Sequence, residues 1–175
     1  MSTIMRTFLL NDDEIISASG SFIGFRVLAN ASGRKVHWVP MKDYHYDDIF
    51  LIHEKSGHVI YSGAKQADYG KNLKTSTLKN SGLAQAFNKA IELKRPVFVD
   101  MKPYSANNGE PRMFLSTKLN ESPYVLVFQI SDKPINKIMQ FRKGYGSTQE
   151  DYLLGSDKLM RSNSFLSPKK YSILE

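Results

Sequence analysis

The side chains of this sequence best suited to hold a small molecule are Tyr61, Asp68, Tyr69, Asp100, Lys102, Tyr104, Arg112, Phe114, Ser116 and Gln129. They are polar or aromatic groups set between apolar runs, and a binding pocket needs a few such groups in mostly apolar walls. Arg112 or Lys102 suits a carboxylate, and Arg112 suits it better because a guanidinium binds a carboxylate with two parallel hydrogen bonds. Asp100 or Asp68 suits an amine. Each residue also has a plainer use. Tyr61 and Phe114 fit a core, and Asp68, within Gln66-Ala67-Asp68-Tyr69-Gly70, fits a turn cap.

Bond-making chemistry finds less support. The sequence holds no phosphate-binding glycine loop, no dinucleotide fingerprint, no paired-histidine zinc motif and no nucleophile elbow. Cysteine is absent, which removes thiolate metal sites, disulfides and cysteine nucleophiles together. The histidines are His37, His45, His53 and His58. His45 stands near Asp47 and Asp48, but without the spacing of a metal site. His53 and His58 flank a turn and are expected to face each other across it, as a cross-strand pair or, less simply, as two zinc ligands. Asp12-Asp13 and Asp47-Asp48 are neighbours in sequence, so on a strand each pair points to opposite faces and does not combine for acid–base work. No catalytic residue, metal or cofactor is expected.

The net charge is +7 over 175 residues. The basic residues are spread along the chain, from Lys65 to Lys170, and do not gather on one stripe with aromatics between them as a nucleic-acid interface would. A hydrophobic share of 41% and an aromatic share of 11% allow a core. No apolar run approaches the length of a membrane span, and the patch Phe8 to Leu10 is too short for a signal peptide.

The elements that would position these groups follow from apolar periodicity. Ile49-Phe50-Leu51-Ile52, the polar turn Glu54 to Gly57 and Val59-Ile60-Tyr61 predict a β-hairpin, with strands over 48–53 and 58–63 and a positive φ at Gly57. A polar connection covers 64–80. Leu83, Ala86, Phe87, Ala90 and Ile91 predict an amphipathic helix ended by Lys94-Arg95-Pro96. Strands are predicted over 96–101, 112–119 and 124–130, with a turn at 104–111, and the unbroken apolar run of the last strand puts it at the centre of the sheet. Asp132 is expected to cap a helix through Ile135, Ile138 and Met139, with Pro134 in its first turn. Before this, Asn11 to Glu14 suit the cap of a short helix through Ile15-Ile16, and Ser21 to Val27 with Lys35 to Val39 suit a hairpin. Near the end, Asp151 to Leu154, a Gly155 to Lys158 turn and Leu159 to Ser162 repeat the opening pattern of strand, turn and strand. A lone hairpin is marginal, so it must pack on the preceding module, pair with another chain or fray. Residues 166–175 are expected to be mobile.

Three segments carry a resemblance: DDIFLIHEKSGHVIYSGAKQADYGKNL from Asp47, SGLAQAF from Ser81 and DYLLGSDKLMRSNS from Asp151. In that order they resemble the double-Cache sensor regions of bacterial methyl-accepting chemotaxis receptors and related sensor kinases and cyclases. The likeness covers about residues 44–165; residues 1–43 resemble nothing nameable. It implies an α+β fold, a PAS-like five-stranded antiparallel sheet with flanking helices, followed by the truncated hairpin of a second module. The expected organisation is an N-terminal segment 1–43, a sensor module 44–145 and a partial second module with its tail over 146–175. The Arg-x-Trp-Tyr-type signature of amino-acid-binding members is missing, since Glu92-Leu93-Lys94-Arg95 stands in its place, so an α-amino acid is not indicated.

The resemblance therefore implies a signal-transduction module that binds an organic acid or an amine at Tyr61, Asp68, Asp100, Lys102, Tyr104, Arg112, Phe114, Ser116 and Gln129, and signals by a shift of its terminal helix or hairpin, in a homodimer if the parent receptor is one. It would lie on the periplasmic side of an inner membrane, reaching the membrane only through the parent receptor, if the chain is a piece of that receptor; Leu174-Glu175 suits a cloning-derived end. The alternative is a cytoplasmic PAS-like interaction module that binds no ligand. Binding is expected to depend on residues 100–116, so equal affinity in Asp100→Ala, Lys102→Ala and Arg112→Ala would contradict it.

Overall fold

A computed structural model describes residues 15–18, 36–39, 46–144 and 146–174. The chain divides between Tyr44 and His45 into two units. In the first, strands β1 (Ile15–Ala18) and β2 (Val36–Val39) pair in parallel, Ile15 opposite Val36 and Ala18 opposite Val39. Ile15 and Ile16 are thus in a strand and not in the capped helix expected there. Two adjacent β-branched residues lose side-chain freedom in a helix and fit a pleated strand, and that preference outweighs the capping signal. The partner described for β2 is β1, in parallel; the other arm of the expected hairpin, 21–27, and His45 lie outside the described residues.

The second unit is α+β. Its strands are β3 (Asp48–His53), β4 (Val59–Ser62), β5 (Val97–Pro103), β6 (Pro111–Lys118) and β7 (Tyr124–Ile130). They form one antiparallel sheet in the order β4-β3-β7-β6-β5. The apolar run of β7 does occupy the centre.

The β3–β4 turn works as its residues demand. Gly57 has φ +74°, and its N–H donates to the His53 carbonyl at 2.8 Å. His53 and His58 face each other through the backbone, His53 N–H to His58 O at 3.0 Å, but their rings part. The Ser56 amide donates to His53 Nδ1 at 3.2 Å, and His53 stacks edge-on against Tyr124. The His58 ring lies near Asn72. Among the described residues no group of three or more His, Cys, Asp or Glu side chains comes together in a way that could hold a metal.

Helix α1 (Gly82–Leu93) starts at Ser81, whose Oγ accepts from the Ala84 amide at 3.2 Å, and ends where Lys94 turns left-handed at φ 49°. Its apolar side lies on β5, β6 and β7, and buries Leu83, Phe87 and Ala90 against Phe50, Ile52, Val97, Val99, Phe114, Val125 and Val127. The 64–80 connection adds Leu73 and Leu78 to the same core and ends in a short 3-10 turn (Thr77–Asn80). It also covers one sheet edge: the Val59 amide donates to the Lys71 carbonyl at 2.9 Å and the Gly70 amide to the Val59 carbonyl at 3.1 Å.

Helix α2 (Lys133–Met139) has Asp132 at its start, but Asp132 does not cap it. Its backbone is already helical (φ −70°, ψ −20°), so its carboxylate is out of reach of the first free amides and accepts instead from Asn136 Nδ2 at 2.8 Å. The expected C-terminal hairpin is reduced to one bridge, Leu154 to Met160, around a turn in which Gly155 N–H donates to Leu159 O at 2.9 Å. The tail folds back on it: Leu174 N–H donates to Met160 O at 2.9 Å and Ser164 N–H to Tyr171 O at 3.0 Å. Among the described residues no helix is long and apolar enough to cross a membrane.

Candidate functional site

The candidate site lies on the α1-facing side of the sheet, at the end where β3 begins and β7 finishes. Strand alternation puts Asp48 on the same face as Phe50 and Ile52, and Gln129 on the same face as Val125 and Val127. Asp48 and Gln129 are direct cross-strand partners, and Gln129 is in turn opposite Phe114 on β6. The polar end of an otherwise apolar layer is therefore built by register.

Asp48 is fully buried and accepts three hydrogen bonds, from Ser62 Oγ at 2.7 Å and from the amides of Ile49 at 2.7 Å and Ala64 at 2.8 Å. Burial raises its pKa above the usual carboxylate value, although these donors pull the other way. Asp68 is brought in by the 64–80 connection. It is 0% exposed, and its Oδ2 accepts from the Tyr104 hydroxyl at 2.9 Å. Burial raises its pKa too; the Tyr104 bond opposes this, and the nearby charge of Asp48 adds to the rise. Tyr104 is 1% exposed, just past the end of β5, and packs edge-on against Phe114 with ring centroids 5.2 Å apart. Burial and the two aspartates push its ionisation far above the ordinary tyrosine value, so Tyr104 remains a neutral donor.

Gln129, 1% exposed, donates through Nε2 to Asn107 Oδ1 at 3.0 Å, in the 3-10 turn Ser105–Asn107. That turn is tied to Tyr104 by the Asn107 amide, which donates to the Tyr104 carbonyl at 3.0 Å. Arg112, on the same side of β6 as Phe114, gives Nη2 to Glu110 Oε2 at 2.6 Å and Nη1 to the Pro111 carbonyl at 2.8 Å. Three atoms here are buried and have no hydrogen-bond partner: Asp68 Oδ1, Gln129 Oε1 and Arg112 Nε; a fourth, Asp47 Oδ2, lies one residue before Asp48. Buried polar atoms are nearly always paired, so an unpaired group calls for a reason.

The sequence candidates thus separate. Asp68, Tyr104, Phe114 and Gln129 form one connected cluster, with Arg112 two residues along β6. Ser116 ties helix to sheet, its Oγ donating to the Ala86 carbonyl at 2.8 Å. Lys102 is exposed and donates to Gln85 Oε1 at 3.1 Å on α1. Tyr61 is half-buried on β4 opposite Leu51. Tyr69 is exposed. Asp100 is turned to the C-terminal segment, where Arg161 holds it in an ion pair. Sequence reasoning missed Asp48, Ser62 and Asn107. Asp48 was open to discovery, since its parity with Phe50 and Ile52 puts a carboxylate on the buried face; Ser62 and Asn107 carry no such signal. Elsewhere, an open groove of about 500 Å³ is lined by Lys89, Glu92, Leu93, Arg95, Pro96, Val97 and Phe98.

The cluster combines two buried carboxylates, a neutral tyrosine, an amide and a guanidinium edge, and it contains no histidine. It offers acceptors to a cation and a donor to an anion, in walls formed by Phe114 and the core. No family model, curated protein or solved structure matches this chain.

Proposed function

We propose that residues 44–145 form a Cache-like, PAS-type sensor module of a bacterial signal-transduction receptor, followed over 146–175 by the start of a second module, and that the sensor module binds a small organic acid or amine and performs no chemistry on it. The observation that carries this reading is the set of unpaired buried atoms at one end of the sheet, Asp68 Oδ1, Gln129 Oε1 and Arg112 Nε. An ammonium group would supply donors to Asp68 and Gln129. A carboxylate would take the Arg112 edge. The strand order and the two helices are compatible with a PAS-like fold. The resemblance of the 47–73, 81–87 and 151–164 segments to chemotaxis-receptor sensor regions supports the receptor setting, with a periplasmic location and a membrane reached through the parent chain.

Entry requires the 64–80 connection, which carries Asp68, and the 104–110 turn, which carries Tyr104, to move apart, because both side chains are buried and their hydrogen bond joins the two segments. Of the three basic or acidic groups first expected to hold a ligand from the 100–116 region, Arg112 is the one beside the cluster; Asp100 and Lys102 are engaged elsewhere. The test is a binding titration of whichever organic acid or amine raises the melting temperature, repeated with Arg112→Ala and Asp68→Asn. Weaker binding in at least one of them is expected. Equal affinity in both would reject this site.

A further inference from the structure

Strand β5 carries two contacts that the rest of the sheet does not explain. At its far end, Tyr104 reaches into the buried cluster. In its middle the pairing with β6 slips, Val99 opposite Phe114 but Lys102 opposite Arg112, so that one extra residue bulges from β5 at Asp100-Met101. A bulge re-aims a side chain and bends the strand. Here it presents Asp100 to Arg161, sixty-one residues further along the chain.

Arg161 is 4% exposed and uses all three guanidinium nitrogens. Nε donates to both Asp100 oxygens at 3.1 Å, Nη2 to Asp100 Oδ2 at 2.8 Å and to Asp157 Oδ2 at 2.7 Å, and Nη1 to the Leu159 carbonyl at 3.0 Å. The other side of Asp100 is fixed as well, since its Oδ1 accepts from the Met101 amide at 2.7 Å. The turn around Arg161 is shaped to fit: a side chain at Gly155 would overlap the guanidinium. Arg161, Ser162 and Ser164 are buried, although the segment from Tyr152 to Leu166 leaves Tyr152, Leu153, Leu154, Leu159, Phe165 and Leu166 exposed. Arg161 ties this segment to β5, and the Asn163 amide ties it to α2 by donating to Asn136 Oδ1 at 2.7 Å, while Ser162 and Ser164 bond within the segment, to the Leu153 amide and to Glu150.

We propose that the Arg161–Asp100 pair is a latch that couples the C-terminal segment to the buried cluster through the β5 bulge. Rearrangement of Tyr104 displaces the end of β5, the bulge absorbs the displacement and Asp100 loosens its grip on Arg161. This rests on the reading of the cluster as a binding site, for which the latch would be the output. It names the moving contact, where the sequence could say only that a terminal element shifts. A bulge leaves a residue out of the ladder and locally disrupts it, so it is the place in β5 where a displacement of the strand is most readily taken up.

Hydrogen exchange followed by mass spectrometry on the whole chain tests the latch without any ligand, so its outcome is separable from that of a ligand search. Exchange of the α1 amides serves as the internal reference for global stability. Asp100→Ala is expected to speed exchange over 151–164 about tenfold or more relative to α1, because it removes a charge-assisted, bidentate contact. Tyr104→Phe, which deletes only the hydroxyl in the cluster, is expected to speed exchange in the same segment as well as in 64–73 and 104–110. If Asp100→Ala leaves the chain unfolded, Arg161→Lys, which keeps the charge but not the paired geometry, is read in its place. Unchanged exchange over 151–164 in the latch variant would overturn the latch. An effect of Tyr104→Phe confined to 64–73 and 104–110 would overturn the coupling.

Discussion

The hydroxyl of Tyr104 donates to Oδ2 of Asp68 at 2.9 Å, joining residues thirty-six apart in sequence, both inaccessible to solvent. This bond closes the 64–80 connection over the end of the sheet, and it leaves the second oxygen of Asp68 without a partner. Stability and the proposed binding thus meet in one carboxylate.

Tyr104→Phe removes the donor and leaves Asp68 buried with neither oxygen paired. The expected loss is about 1–3 kcal/mol, the cost of an unsatisfied buried acceptor, and larger if the carboxylate stays charged. Urea unfolding of the two chains measures it. A change below a few tenths of a kcal/mol would mean that the 64–80 connection is held by its apolar residues alone.

The pH dependence has a definite sign. The pKa values of Asp48 and Asp68 are raised by burial, so above the ordinary carboxylate value the folded chain holds protons that the unfolded chain has released. Their contribution to stability therefore falls as pH rises from about 4 through their folded values. Asp100 behaves oppositely. The hydrogen bonds from Arg161 hold its pKa below the ordinary value, so its stabilisation is present above about 4 and is lost as pH falls through the folded value. Asp68→Asn should flatten the decline on the alkaline side of that point. Urea midpoints from about pH 4 to pH 8 follow this, and parallel curves for the two chains would refute it.

Ser116→Ala separates the scaffold from the site. It removes the hydroxyl that donates to the Ala86 carbonyl under α1 and should cost about 0.5–1.5 kcal/mol, while binding of any ligand stays unchanged. Phe114→Ala, which empties a fully buried site between Tyr104 and α1, should cost about 3–5 kcal/mol and abolish binding as well. Chemical denaturation and titration of each variant distinguish the two roles.

Much of the second unit was legible in the sequence because its signals are local. Gly57 takes the positive φ its turn requires, Ser81 caps α1, Lys94-Arg95-Pro96 ends it and the unbroken apolar run of β7 sits in the middle of the sheet. The site was half legible. Asp68, Tyr104, Arg112, Phe114 and Gln129 are recognisable as polar or aromatic groups near apolar runs, but what brings them together is register and loop closure, which no local pattern carries. Asp100 shows the limit most clearly. It looks like a ligand group on a strand, and only the bulge in β5 and the arrival of Arg161 from a distant turn give it another use. Asp132 fails for a local reason: its backbone is already helical where a cap must be extended.

The most direct measurement is a thermal-shift screen of the whole chain against amines, organic acids, amino acids, nucleobases and sugars, run in parallel with Asp68→Asn and Arg112→Ala. A ligand present at about 100 times its Kd adds roughly 2.7 kcal/mol to the folded state, which raises the melting temperature by several degrees. The account predicts such a shift for an amine or an organic acid, and a smaller one in the variant that faces the ligand's charge. No shift with any compound, or equal shifts in all three chains, would contradict it and favour an interaction module that binds no ligand at this site.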